Sequence, residues 1–218
     1  MLKNRIRYAL RMADSRLPAV VALLLVTAFA GGCASSRSSG LHATPPGLGR
    51  LPYSDADVDF MSGMIPHHAQ AVVMAGWAPS HGARKDVAVF CERIVVGQRD
   101  EIATMQQWLQ DRGQTVPDAA STRHRMKMNG VEHDMLMPGM LTDEEMAALD
   151  RARGPEFDRL FLIGMIKHHQ GAIDMVDVLF KSYGAAQDET VFKFASDVHA
   201  DQSIEIDRMH QMLENPQP

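Results

Sequence analysis

Histidine pairs embedded among methionines are the residues of this sequence best suited to specific chemistry. The first pair, His67 and His68, follows Met64 and precedes Met74. Imidazole nitrogen and thioether sulfur form a soft donor set, which suits Cu(I) and tolerates Ag(I). Zinc would favour Cys, His or carboxylate over Met, and magnesium and calcium need oxygen ligands. The residue types therefore predict a copper site, with Cu(I) as the expected state.

The same pattern occurs a second time, 101 residues later in the chain. Residues 164–169 read Gly-Met-Ile-Lys-His-His, against Gly-Met-Ile-Pro-His-His at 63–68, and Phe, Ala and Met recur around both copies at identical spacing. This doubling indicates an internal duplication. It predicts metal ligands on two helices, with these candidates: Met64, His67, His68, Met74, Met165, His168, His169 and Met175.

Helical geometry limits how these side chains can converge. Residues three, four and seven positions apart share one stripe of a helix, whereas adjacent residues diverge by about 100°. One His of each pair is therefore expected to face the interior, and the other a neighbouring helix or water. Pseudo-twofold packing of the two repeats would bring together two interior His and two to four Met side chains.

A second repeated element offers polar partners for the imidazole rings. Gln98 and Glu101 recur as Gln202 and Glu205, with an offset of 104 residues. These side chains could hydrogen-bond the rings and orient them as ligands. A buried Glu also needs such a partner when no metal is present. A non-metal interaction or scaffold domain of the cell envelope is therefore the alternative interpretation.

The linker between the two repeats carries a second, looser candidate site. Residues 114–141 contain several Pro and Gly, which break regular structure, and no strand is expected in them. Flexible polar linkers seldom accumulate five Met and two His within 17 residues, so copper capture is one interpretation, and folding of these residues over the helices is the other. The candidates are His124, Met126, Met128, His133, Met135, Met137 and Met140.

Four long helices must position these residues. Amphipathic spacing and breakers predict helices over about 55–77, 84–112, 155–183 and 188–214, and Pro66 is expected to kink the first. Thr142 and Glu145 form a capping box for a further short helix. Two repeated hairpins, 54–112 and 142–214, joined by a linker at 113–141, most simply make an all-α four-helix bundle over 54–214.

The doubled motif, together with the Gln-x-x-Glu-Ile-x-x-Met element, resembles the bacterial family catalogued as domain of unknown function 305. The resemblance covers roughly residues 54–213, with Pro66 as the main departure. It implies a secreted or envelope-associated protein with a ferritin-like four-helix bundle. Some members of the family are described as copper-binding, so the resemblance raises copper above other metals.

No catalytic constellation stands out, and an enzyme is not the favoured interpretation. Di-iron bundles use Glu-x-x-His on two helices, but Met64 and Met165 stand near the positions that such Glu residues would take. A cuprous oxidase is a less favoured alternative that stays open. Cys91 is expected to be a buried packing residue.

The N-terminus predicts export. A basic segment is followed by an apolar run over 17–30 that is too short to span a bilayer comfortably. Cleavage after Ala30 is one alternative; a lipoprotein signal over 1–32 with acylation at Cys33, which would tether the domain to a membrane through residues 33–53, is favoured. Removing 1–32 takes five of the 22 Lys and Arg and one of the 27 Asp and Glu, so the net charge becomes −9. That charge argues against a nucleic-acid partner, and a homo-oligomer stays possible.

Overall fold

The computed structural model describes residues 41–42, 52–128 and 131–215. The predicted leader, Cys33 and most of the predicted tether lie outside these residues. Within them the fold is all-α apart from two short strand pairs. The helices are α1 (Asp55–Gly76), α2 (Ala78–His81), α3 (Lys85–Gln110), α4 (Asp143–Arg151), α5 (Pro155–Lys181) and α6 (Glu189–Glu214).

The two strand pairs are the part of the fold that the sequence analysis did not expect. Strand β1 (Leu41–His42) pairs with β2 (Tyr53–Ser54), and β3 (His124–Met128) runs antiparallel to β4 (Val131–Met135). The expectation of a strand-free linker was therefore wrong. Helix α1 also continues through Pro66 to Gly76 without interruption.

Side-chain caps mark the starts of α1, α4 and α6. Ser54 and Asp57 form a capping box at the start of α1, and the second carboxylate oxygen of Asp57 accepts a hydrogen bond of 2.7 Å from the Ala186 backbone. Thr142 caps α4 as expected. Asp188 caps α6 and also accepts from the Trp108 indole at the end of α3. These caps satisfy helix-end donors, and those of α1 and α6 also tie the helix start to the opposite hairpin.

The long helices form two hairpins that meet along α1 and α5. Helix α1 packs against α3, α5 against α6, and α1 against α5. A Cβ at Gly63, early in α1, would lie 3.6 Å from the end of Met175, late in α5; one at Gly164 would lie 3.3 Å from the end of Met74. The two central helices therefore run antiparallel, as a pseudo-twofold relation between the repeats requires.

The core consists of two apolar clusters, and all four long helices contribute to both. The first cluster includes Phe60, Trp108, Val176 and Phe194, and the second includes Phe90, Phe161 and Met209, together with other buried residues of each helix. Each helix passes from one cluster to the other through a few polar positions. Those positions form a polar layer across the middle of the bundle, which holds both His pairs with Gln98, Glu101, Gln202 and Glu205.

No helix in the described ranges is long and apolar enough to cross a membrane.

Candidate metal centre

The four histidines of the two motifs are fully buried in the polar layer, at 0 % exposure each. His67 and His168 face one another where α1 crosses α5, with ring centroids 3.8 Å apart. His68 and His169 point away from that pair towards α3 and α6. The expectation that adjacent His diverge is confirmed, and the second His of each pair faces a neighbouring helix rather than water.

Backbone carbonyls fix the tautomers of the central pair. His168 Nε2 lies 2.9 Å from the His67 carbonyl oxygen, and His67 Nε2 lies 3.0 Å from the Pro138 carbonyl oxygen. A carbonyl oxygen only accepts, so both Nε2 atoms donate and carry hydrogen. Burial, reinforced by the neighbouring imidazoles, lowers the pKa of both rings well below the ordinary value. The rings are therefore neutral at pH 7, and each Nδ1 atom carries a free lone pair.

Glutamates from the outer helices meet the other two rings. His68 Nε2 lies 2.7 Å from a Glu101 carboxylate oxygen, and His169 Nε2 lies 2.7 Å from one of Glu205. The two contacts differ, because His169 forms a hydrogen bond whereas the His68 contact lacks hydrogen-bond geometry. A Glu carboxylate therefore lies beside one His of each pair, but of these two contacts only His169–Glu205 is the expected hydrogen bond.

Several polar atoms of the layer are buried without a hydrogen-bond partner. They include the Nδ1 atom of every one of the four rings and both amide atoms of Gln98 and Gln202. The expectation that these Gln side chains hydrogen-bond the rings was wrong. Each unpaired buried polar group costs about 1–3 kcal/mol, and native proteins keep few of them. Lone pairs left free in this way are what a metal ion would require.

The motif methionines pair across the two repeats. Met64 and Met175 belong to the first apolar cluster, and Met74 and Met165 to the second. Three of the four are completely buried, and Met175 is 7 % exposed. Each side of the polar layer is thus bordered by one thioether from each repeat, because α1 and α5 run antiparallel.

Nitrogen and oxygen ligands alone do not form a site here. Within the described residues, no three His, Cys, Asp or Glu side chains are grouped closely enough to hold a metal ion. The four motif thioethers border the same layer and are soft donors. A mixed donor set of imidazole and thioether fits a soft monovalent ion such as Cu(I) or Ag(I).

The linker candidates are divided between two places. In the β3–β4 hairpin, His124 stands opposite Met135 and Met126 opposite His133; the side chains of Met126 and Met128 lie outside the described residues. Met140 is instead 3 % exposed. Met137 is partly buried against the first cluster. Of the candidates whose side chains are described, His124, His133 and Met135 therefore belong to the hairpin, whereas Met137 and Met140 belong to the packed segment after it.

A further part of the linker closes the centre and was missed from the sequence. Pro138 and Gly139 lie directly on Gly171 of α5, where a Cβ would be 2.6 Å from Gly139 Cα. The Gln70 amide then holds the Leu141 backbone, accepting from its nitrogen at 2.7 Å and donating to its oxygen at 2.9 Å. The contact requires glycine at two positions, because Gly139 has a positive φ of +75° and Gly171 has no room for a Cβ. These two glycines are its signal in the sequence.

Cys91 takes no part in the polar layer. It is 1 % exposed within the second cluster. Burial, with a smaller contribution from Asp158, raises the pKa of its thiol to about 12. The thiol therefore stays protonated and packs as an apolar group, as expected.

One protein-family model matches most of this all-α chain, including both His/Met motifs. The family described as "Domain of unknown function (DUF305)" matches residues 57–213. The chain belongs to the DUF305 family. No curated protein matches it at a significant level.

Solved structures agree with this assignment. A DUF305 protein from Streptomyces coelicolor is 26 % identical, with a TM-score of 0.61, and the match covers 73 % of this chain and 92 % of that one. CopM in the Cu(I)-bound form is 27 % identical, with a TM-score of 0.55 and coverage of 73 % and 96 %. CopM in the Cu(II)-bound form is 28 % identical, with a TM-score of 0.56 and the same coverage. The solved structures that resemble this chain therefore include a copper-bound protein.

Proposed function

We propose that this DUF305 protein binds copper, as Cu(I), in its polar layer, and serves copper tolerance or delivery in the cell envelope. The observation that carries the proposal is the set of four buried imidazoles whose Nδ1 atoms have no hydrogen-bond partner. A scaffold core would satisfy such atoms or replace them with apolar groups, because leaving them unpaired is costly.

The bordering thioethers support the choice of metal. Three of these side chains are fully buried beside the layer: Met64, Met74 and Met165. Burying an apolar thioether does not destabilise the fold, and the same sulfur atom can act as a soft ligand. The similarity to CopM supports the same choice, since CopM has been crystallised with Cu(I), Cu(II) and Ag.

Titration with Cu(I) against a competing chelator tests the proposal on residues 34–218. The variant Met64→Leu/Met165→Leu removes one thioether from each side of the layer, and we expect the affinity to fall at least about tenfold, or about 1.4 kcal/mol. Leu is close to Met in volume, so the fold should be retained.

Met61→Leu is the matched control. Met61 is fully buried on the same helix and in the same cluster as Met64, but its equivalent in the second repeat is Leu162. We expect this variant to bind as wild type does. Equal affinity in all three proteins would exclude the thioethers as ligands, and no binding in any of them would leave the envelope scaffold as the better interpretation.

A second variant tests whether the ion binds in the polar layer or on the β3–β4 hairpin. Deleting 118–135 removes the β3–β4 hairpin but keeps Met137, Pro138 and Leu141, which belong to the packed domain. Full-strength binding after the deletion would place the main site on α1 and α5. Binding lost with the hairpin would make His124, His133 and Met135 the better candidates.

Export and lipid anchoring form the cellular part of the proposal. They depend on residues 1–33, which lie outside the described structure. Incorporation of labelled fatty acid by wild type but not by Cys33→Ser would support the anchor. Labelling of neither protein would favour simple secretion.

A further inference from the structure

The two Glu–His contacts of the polar layer open onto outer surfaces of opposite charge. A cleft of about 460 Å³ lies between α3 and α6 beside Glu101; we call it the α3–α6 cleft. Its lining carries five carboxylates and one ammonium group, a formal charge of −4: Asp100, Glu101, Glu189, Asp197, Asp201 and Lys193. Lys193 is already paired with Asp197.

The cleft leads directly to an unsatisfied part of the polar layer. Glu101 is 27 % exposed, and its carboxylate lies 2.7 Å from the fully buried His68 ring. Phe194, which also lines the cleft, is 6.4 Å from that ring between centroids. Neither nitrogen of His68 has a hydrogen bond, and Gln98, one turn before Glu101, has none either. A buried polar group that lacks a partner therefore stands immediately behind the acidic wall.

The surface at Glu205, which the repeat makes equivalent to the α3–α6 cleft, is not acidic. The repeat offset of 104 residues relates Phe194 to Phe90 and Val191 to Val87 as well as Glu205 to Glu101, so each cleft position has a counterpart. The charged counterparts sum to +1: Lys85, Arg93 and Arg208 against Asp86 and Glu205. Arg208 lies over the Phe90 ring, 5.4 Å from its centroid. Behind this surface, His169 is already hydrogen-bonded to Glu205.

We propose that the α3–α6 cleft is the port through which a soft monovalent cation reaches the polar layer, with Glu101 passing the ion to His68. This inference rests on the proposed copper-binding function and adds the route by which the ion enters the layer. Clefts lined by charge of one sign concentrate counter-ions and can raise association rates by about 10–1000-fold. The equivalent positions around Glu205 sum to +1, so they would not concentrate the same ion.

Stopped-flow association of Ag(I) tests the port on residues 34–218, a segment that contains every described element. Silver nitrate in chloride-free buffer is the probe, and the fluorescence of Trp77 and Trp108 reports binding. All proteins carry Cys91→Ala, which removes the thiol; the second repeat has Ala195 at the same position. Association is measured at low salt and again in about 0.5 M nitrate, where the Debye length falls to about 4–5 Å.

The equivalent glutamates provide the matched pair of variants. Each lies 2.7 Å from a buried His, so Glu101→Gln and Glu205→Gln make the same chemical change at the two outer surfaces. We expect Glu101→Gln to slow association about tenfold at low salt and Glu205→Gln to change it less than about twofold. Equal slowing by the two variants, or slowing only by Glu205→Gln, would overturn the port.

A second comparison removes charge without touching either His contact. Asp100→Asn/Asp197→Asn/Asp201→Asn lowers the cleft charge to −1, and we expect slower association at low salt that recovers at high salt. The control, Asp143→Asn/Glu144→Gln/Glu156→Gln, takes the same charge from α4 and α5. Equal slowing by both triple variants would overturn the port. If wild type bound silver and every variant associated at the wild-type rate, the port would be overturned but the copper function would stand. If wild type bound no silver, the copper function would be overturned as well.

Discussion

Gly171 is the residue at which the packing of the linker against the polar layer can be tested most sharply. A Cβ at this position would lie 2.6 Å from Gly139 Cα and closer still to the Pro138 carbonyl group. Real Cβ atoms do not approach backbone so closely, so Gly171→Ala must displace the 138–139 segment. That displacement would withdraw the Pro138 oxygen from its 3.0 Å contact with His67 Nε2.

The expected cost combines three contributions. Overpacking costs about 1–3 kcal/mol, and leaving the buried His67 donor without its acceptor costs about 1–3 kcal/mol. Replacing a mid-helix Gly by Ala returns about 0.5–1 kcal/mol. The variant should therefore lose about 1–5.5 kcal/mol, which lowers the melting temperature by about 2–22 °C for a domain of this size.

Gly97→Ala is the control for this experiment. Gly97 also lies inside a long helix, α3, but a Cβ there would meet nothing within 4 Å. The same substitution should raise the melting temperature by about 1–4 °C, because only the helix-propensity gain remains. Thermal unfolding of the metal-free proteins measures both changes. If Gly171→Ala melted at or above the wild-type temperature, the close contact between the linker and α5 would be refuted.

Two further predictions concern buried charge. The pKa of His67 and of His168 is lowered in the folded protein. Below about pH 6.5 the unfolded chain therefore binds protons that the folded chain does not. The contribution of these two neutral rings to the free energy of unfolding is fully present above that pH, and it falls by up to about 2.7 kcal/mol per pH unit as the pH drops. Urea unfolding of the metal-free protein from pH 7.5 to 5 measures the slope, and a flat profile would contradict neutral buried rings. Asp188→Ala removes the α6 cap and strands the Arg112 guanidinium, 2.5 Å away and 7 % exposed, which should cost about 3–5 kcal/mol. Asp177→Ala, at an exposed ion pair, should leave the urea midpoint unchanged, and similar losses from both would argue against a structural role for Asp188.

Much of the architecture follows from local sequence rules. The long helices begin within about one residue of the expected positions because caps such as Ser54 and Asp188 are chemically specific. The duplication predicted the hairpin pairs, and the repeated Glu101 and Glu205 predicted the contacts with buried His. Each of these features depends on a residue type at a fixed spacing, which a sequence displays directly.

Other features depend on backbone groups and on how distant segments meet. The acceptor for His67 is the carbonyl oxygen of Pro138, 71 residues away, and every residue type has such an oxygen. The division of the Met residues into cross-repeat pairs follows from the antiparallel crossing of α1 and α5, which helical periodicity does not determine. The β3–β4 hairpin did have a signal, because Asn129-Gly130 is a turn dipeptide, but Gly130 was counted only among the residues that break regular structure.

The cross-repeat pairing of thioethers has a consequence for how such a protein could arise and be divided. A single hairpin would expose one His pair and half of each Met pair along an apolar face, and two identical copies could complete the layer only as a twofold-symmetric dimer. In that dimer both outer surfaces would be the same. Joining the halves in one chain removes the dependence on concentration and allows the two surfaces to diverge. The −4 and +1 charges outside Glu101 and Glu205 are a difference that no symmetric dimer could carry.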